Sequence, residues 1–420
     1  MSIEALQARI TEISSEIALQ EKLLQRLRHE KSLVQRELNE AVDPIARLPL
    51  EISSQIFLQC LAPFDEHKLG ARHAPLLLLS ICNSWSTIAL STPGLWSAIP
   101  IYISCPRGST QLLQTWRRRA GNHPLSISLL GNFRNVTYCI PDIIWRLAGR
   151  LKRLAITQDE DGFGQCGCDP DGYSEIADLF GNAAPKPLPL LETLKVRGTT
   201  IAAGFRIGQI LQLLRLAPNV VHCMFDGMAL YHFHDLPSER LRLPLLRTLK
   251  YGSGSEPEDD DGILPRVGLP ALTDLFVGVS GSCHELFGLI KHSTPPLRSL
   301  VVGKLGGLGA LDAVELCDSL HLVPSLERLE MWFPCHVAEF FDNLADTPSL
   351  LPNLRTLIIH PRVILDSSWD SVVRALSGRH IELQIDHLYK KPPEEALVAL
   401  GELVANGAEV HIRSDQCDYI

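Results

Sequence analysis

The sequence predicts an α/β chain in three successive parts: an N-terminal coiled-coil helix, a small three-helix domain, and an irregular leucine-rich-repeat solenoid. Three observations predict it. Residues 1–42 place apolar side chains at heptad spacing, with no Gly or Pro before Pro44. Residues 45–97 hold three short apolar runs separated by breaks that contain Pro. Residues 98–420 repeat one phrase, apolar-x-x-apolar-x-apolar, at steps of 25–29 residues from 221 onward. A chain of 420 residues, 45% hydrophobic and 21% charged, has room for two or three domains with an ordinary globular balance.

In the first part, Ile3, Ile10, Ile17, Leu24, Lys31 and Leu38 occupy one seam position of the heptad. Leu6, Ile13, Gln20, Leu27 and Val34 occupy the other. Nine of these eleven positions are apolar, which is the pattern of a helix that buries a narrow stripe against another helix. Gln20 and Lys31 interrupt the stripe and are the residues that would fix its register. Pro44 stops the helix, because proline cannot continue the hydrogen-bond ladder. The seam is either a dimerisation arm, homotypic or heterotypic, or the face of a helix that folds back on its own domain or stands alone.

The second part opens on Arg47-Leu48-Pro49-Leu50-Glu51. Pro49 suits the first helical position, where its missing N–H costs nothing. Leu48, Ile52, Ile56 and Cys60 recur every four residues, with Phe57 and Leu61 beside them, giving one broad apolar face. Ala62-Pro63 ends that helix, and Phe64–Ala74 reads as a polar loop. Pro75 opens a second short helix over Leu76–Ile81. A third runs through Trp85, Ile88, Ala89 and Leu90, and Thr92-Pro93-Gly94 stops it. Trp85 and Trp96 read as packing residues, since large aromatics mostly fill cores. Three short helices make a marginal core, so a partner is expected to help stabilise it.

The anchors Leu48, Pro49, Glu51, Ile52, Ile56, Phe57, Cys82, Trp85, Ile88, Ala89, Pro93, Leu95 and Trp96 resemble an F-box. They are similar in particular to the variant of large fungal F-box families, which often carries a coiled-coil arm in front and leucine-rich repeats behind. Asn83 and Ser84 stand where the family usually has a basic residue before the Trp. The resemblance implies a protein–protein contact and no chemistry of its own. It implies that Leu48, Pro49, Ile52, Ile56 and Phe57 touch the Skp-type adaptor of a cullin-RING (SCF-type) ubiquitin ligase.

In the third part the phrase is seen in Leu151-Lys152-Arg153-Leu154-Ala155-Ile156, and again from Leu191, Leu246, Leu272, Leu297, Leu326 and Leu354. Val221–Met224 reads as a degenerate copy. Steps of this size are those of leucine-rich repeats, in which each unit is a strand plus a helical return. Ile207–Leu216, Glu285–Lys291, Ala310–His321, His336–Leu344 and Glu394–Ala405 show the helical spacing expected of the returns. The Asn ladder usual in such repeats is missing, so each turn must satisfy its backbone differently. Strand side chains alternate, so the residues between and just after the last two apolar positions should line one concave face. That row holds Arg153, Lys195, Arg197, Phe225, Lys250, Phe276, Val301, Arg328, Glu330, Trp332 and His360. It is expected to take an acidic and apolar segment of a protein client; the alternative is a row of solvated strand residues. Acidic insertions near 159–172 and 256–262 interrupt the repeats, and Cys166-Gly167-Cys168 in the first lacks a second ligand pair.

The remaining features mostly exclude. A net charge of −9 argues against a nucleic-acid binder. Eleven scattered cysteines and no secretory apolar core near the start suit reduced thiols in the cytoplasm or nucleus. No apolar run approaches the length of a membrane span. No P-loop, HExxH or Gly-x-Ser-x-Gly is present, and the Gly303–Gly309 run lacks the Lys-Ser/Thr ending of a phosphate loop. No enzyme activity, no cofactor and no metal site are expected. The resemblance implies a substrate-recognition subunit: F-box to adaptor, repeats to an unidentified client, residues 1–42 to a second chain. The alternative is a non-catalytic binding scaffold whose F-box-like helices only cap the repeat domain.

Overall fold

The computed structural model describes residues 3–61, 74–102, 106–131, 144–158, 180, 184–198, 204–231, 239–253, 263–278, 284–303, 311–361, 369–388, 390–414 and 417–420. The chain is mixed α/β, with a long N-terminal helix and a large parallel sheet. Two compact units are distinct. One is Met1–Pro100 with Thr110–His123, the other Ile101–Ser109 with Pro124–Ile420. The expected insertions at 159–172 and 256–262 and nearly all of Phe64–Ala74 lie outside the described residues. Among the described residues, no helix is long and apolar enough to cross a membrane.

In the first unit the heptad segment forms one helix, α1 (Ile3–Val42). Its seam residues are exposed along their length, from Ile3 to Leu38. Its last turns are tied to the rest of the unit. Arg36 donates to the Asn83 and Ser86 side chains at 3.2 Å each, and Asn39 donates to the Ile81 carbonyl at 2.9 Å. Ser84 donates to Glu40 at 2.8 Å, and the Trp85 indole N–H donates to Asp43. The fold-back alternative is therefore not what the described residues adopt.

Three short helices follow: α2 (Leu50–Gln59), α3 (Leu78–Ile81) and α4 (Asn83–Ser91). Pro49 sits one residue earlier than expected, at the N-cap of α2 with φ −54° and ψ 146°. The position suits proline equally: it needs no N–H, while its carbonyl accepts from Ile52 and Ser53 at 3.1 Å. Phe57, Leu78, Cys82, Ala89, Leu95 and Trp96 fill the small core. The Trp96 N–H is satisfied by the Ala89 carbonyl at 2.8 Å, so the buried indole leaves no polar debt.

The next helix, α5 (Pro106–Arg119), belongs to this unit from Thr110 on, although the sequence boundary placed everything after 97 in the repeats. The reason is aromatic. Trp116 meets Trp96 edge-on at 5.2 Å, and the Arg119 guanidinium lies 4.2 Å over the same Trp96 ring.

The large sheet has twelve strands that neighbour one another in chain order, the first spanning the boundary at Pro100 and the rest in the second unit. They are β1 (Ala98–Tyr102), β2 (Leu125–Gly131), β3 (Leu151–Gln158), β4 (Thr193–Arg197), β5 (His222–Tyr231) and β6 (Thr248–Ser253). Then come β7 (Asp274–Gly278), β8 (Ser299–Val302), β9 (Arg328–Trp332), β10 (Thr356–His360), β11 (Glu382–Ile385) and β12 (Val410–Ile412). Gly204–Arg206 pairs with β5 off this path and makes the thirteenth strand. From β2 to β12 every pairing is parallel. Parallel neighbours require crossovers. Most of these carry helices: α6 (Ile207–Leu216), α7 (His284–Ser293), α8 (Ala313–Leu320), α9 (Val337–Asp346), α10 (Trp369–Ser377) and α11 (Glu394–Ala405). From α7 to α11, each helix packs on the next.

Register explains the alternation. Leu194, Cys223, Leu249, Leu275, Leu300, Leu329, Leu357 and Leu383 stand side by side and are buried. Two residues on, Val196, Phe225, Tyr251, Val277, Val302, Met331, Ile359 and Ile385 form a second buried row. The turns before the strands are closed by assorted donors in place of a uniform ladder. Asn219 donates to the Pro189 carbonyl at 2.8 Å, Asn353 to Pro324 at 2.9 Å, and Ser325 to Leu297 at 2.8 Å.

Gly303 shows why the Gly-rich run begins as it does. Its φ is +98°, and a Cβ there would lie 2.5 Å from the Trp332 carbonyl oxygen. The glycine is needed for a close backbone approach at the end of β8. Gly303→Ala is expected to cost more than about 1 kcal/mol. Urea denaturation of the full chain checks this, and an unchanged midpoint would contradict it.

Candidate functional site

Two sets of residues are presented outward by the elements that carry them. The first is on α2 and its entry. Ile52 and Ile56 are one helical turn apart and 50% and 39% exposed, and Leu48 before the helix is 41% exposed. Leu50 and Pro49 are also exposed. The opposite side of α2 is filled from within. Ser53 is fully buried and its hydroxyl donates back to the Pro49 carbonyl at 3.2 Å. Phe57 departs from the row expected to meet a partner: it is 1% exposed and packs against Trp85 with ring centroids 4.9 Å apart. A period of four does not separate the two sides of a helix here, because Ile56 and Phe57 are adjacent and point about 100° apart. Leu48, Pro49, Ile52 and Ile56 are thus brought together on the outside, while Phe57 is core.

The second set is the sheet face opposite the buried rows. Its central row runs Lys195, Met224, Lys250, Phe276, Val301, Glu330, Ile358, Gln384 and His411, each opposite the next across the parallel register. Arg153 and Arg328 lie in the row before it, and Arg197 and Trp332 in the row after. Phe225 is a correction. It is 1% exposed and stands between Val196 and Tyr251 in the core, and Met224 takes the outward position. The degenerate copy begins at Val220, one residue earlier than its reading from Val221. A slip of one residue moves every side chain to the other face.

The outward residues are not equivalent. Lys250 and Arg153 are exposed. Arg197 lies 3.5 Å from Asp226, with both side chains about two-fifths exposed, so the pair contributes about 0–1 kcal/mol and mainly offsets charge. The densest polar grouping is at β9 and β10. Glu330 takes the Arg328 guanidinium at 2.6 Å and the Trp332 indole N–H at 2.8 Å. The His360 ring stacks on Trp332 at 3.7 Å and brings Nε2 to 3.3 Å from Glu330. His387 stands 5.9 Å beyond. His360 beside it, then the Trp332 N–H and the Arg328 guanidinium, hold the Glu330 carboxyl below the ordinary range, against the opposing effect of burial. The structure therefore joins Arg328, Glu330 and Trp332, expected separately as client contacts, into one pre-ordered group with His360.

No family model matches the chain, and no curated protein matches it.

Glu330 makes a pH prediction whose sign is fixed. A carboxyl held low by folding adds stability above its unfolded value, about 4.3, and loses it as pH falls through the lower folded value. Glu330→Gln is expected to cost about 1–2 kcal/mol at pH 7 and much less at pH 3. Chemical denaturation at both values checks it; an equal cost at the two would contradict the assignment of the effect to charge.

Proposed function

We propose that the chain is a non-catalytic adapter: the substrate-recognition subunit of a cullin-RING ubiquitin ligase, of the F-box–leucine-rich-repeat type. In this reading α2 to α4 dock on the Skp-type adaptor. The strand-and-helix units form a leucine-rich solenoid whose outward sheet face holds a protein client. The chemistry of ubiquitylation belongs to the partner subunits.

The observation that carries the proposal is the exposed row Leu48, Ile52 and Ile56 on a helix whose own packing is already complete. Three large apolar side chains left outside a filled core favour a protein partner over a solvated surface. Two further facts support it. Arg36 of α1 donates to Asn83, so a guanidinium stands beside the position where the resembling family carries a basic residue. From residue 221 onward the strands follow chain order at steps of 25–29 residues, with one face apolar.

The test is capture of purified Skp-type adaptor by the full chain. Ile52→Asp and Ile56→Asp are expected to cost about 2 kcal/mol or more each, about thirtyfold in Kd, with the thermal melt unchanged because both residues are outside the core. Phe57→Asp is unsuitable, since it buries a charge. Full capture by both Asp variants, or no capture by the parent, would overturn the docking reading.

A further inference from the structure

A second kind of site lies at the carboxyl end of β9, outside both surfaces described above. Two short parallel strands, Leu311–Asp312 and Pro334–Cys335, pair there with Asp312 opposite Cys335. His336 follows directly. In an extended strand, consecutive side chains point to opposite sides. His336 has φ 55° and ψ 35°, so the chain turns and the two side chains converge. One ligand atom each from Asp312, Cys335 and His336 lies within 4.8 Å of the other two. We infer that these three side chains form a binding site for a divalent transition metal of the zinc class.

The donor set fits that ion. A thiolate, an imidazole and a carboxylate together suit zinc, and do not suit magnesium or calcium, which take oxygen donors. A tetrahedral site with bonds of about 2.0–2.3 Å places its ligand atoms about 3.3–3.8 Å apart. The three atoms are therefore at most about 1.5 Å from closing. Most of that adjustment falls to His336, whose side chain is half-exposed and able to re-orient.

The surroundings hold the ligands in place. Asp312 is the N-cap of α8, and its Oδ1 accepts from Val314 N–H at 2.9 Å and Glu315 N–H at 3.2 Å. The cap orients Asp312. His336 Nδ1 is 3.6 Å from Glu339, a carboxylate placed either to orient the ring or to become a fourth ligand. The cluster stands before the N-termini of α8 and α9.

The experiment uses the full chain, reduced and freed of metal with a chelator, and titrated with Co(II) as a spectroscopic substitute for zinc. The expected result is a near-ultraviolet thiolate-to-cobalt absorption that saturates at one equivalent and is displaced by Zn(II). Cys335→Ser should abolish it, and Cys60→Ser, at an exposed thiol, should leave it. Asp312→Asn keeps a capping oxygen, so it should fold as the parent does and weaken Co(II) binding about tenfold or more, as should His336→Gln. A thermal melt with and without Zn(II) reads the same site independently: the parent should gain stability and Cys335→Ser should not. No thiolate absorption, or one that survives in Cys335→Ser, would overturn the site. Unweakened binding in Asp312→Asn would overturn this set of ligands.

Discussion

Each of the twelve chain-ordered strands carries two apolar residues on one face and hands the residue between them to the other. Everything else in the second unit depends on that division. A Leu removed from water contributes about 1.5–3 kcal/mol, and the buried rows stack such residues strand after strand. The outward face offers nothing comparable: Arg197–Asp226 is a screened pair worth about 0–1 kcal/mol. The inward rows therefore set the register, and the outward row receives its residues as a consequence. Lys195, Lys250, Phe276 and Glu330 are brought into one line by Leu194, Leu249, Leu275 and Leu329 beside them.

The small helical unit works under the opposite constraint. Its core is short of material: Phe57, Trp96 and a few smaller side chains fill it, and Ser53 is buried on a helix that has little else to bury. Polar links from the end of α1 to Asn83, Ser84 and Trp85 add to what apolar burial provides. A unit so built has apolar residues left over, and α2 presents them at Leu48, Ile52 and Ile56. On the proposed reading the same scarcity that makes the unit marginal makes it a docking element.

Much of this was legible in the sequence because it is periodic. The seven-residue pattern gave α1, and the phrase starting at Leu151 and Leu191, and again from Leu246 to Leu354, gave the strands and their inward residues. What failed did so where a pattern is a poor guide to direction. Phe57 follows Ile56 in an apolar run, and only packing on Trp85 shows that it points inward. Phe225 was misplaced because Val220 and Val221 both fit the head of a repeat. Trp116 fell within the residues read as repeats, and its contact with Trp96 depends on α5 belonging to the first unit from Thr110 on. His360 was read as one of a row, but its stacking on Trp332 and approach to Glu330 come from neighbouring strands 28 residues apart. The grouping of Asp312 with Cys335 and His336 was missed for the same reason. Cys335 and His336 are adjacent in the sequence, but Asp312 reaches them only through a strand pair of two residues each.

The most direct test of the division of faces compares two neighbours in β8. Leu300 is fully buried and Val301, the next residue, stands in the outward row. Equilibrium denaturation of Leu300→Ala and Val301→Ala in the full chain measures the cost of each. The account predicts about 2–5 kcal/mol for Leu300→Ala and under about 1 kcal/mol for Val301→Ala. Equal costs, or a greater cost at Val301, would contradict it.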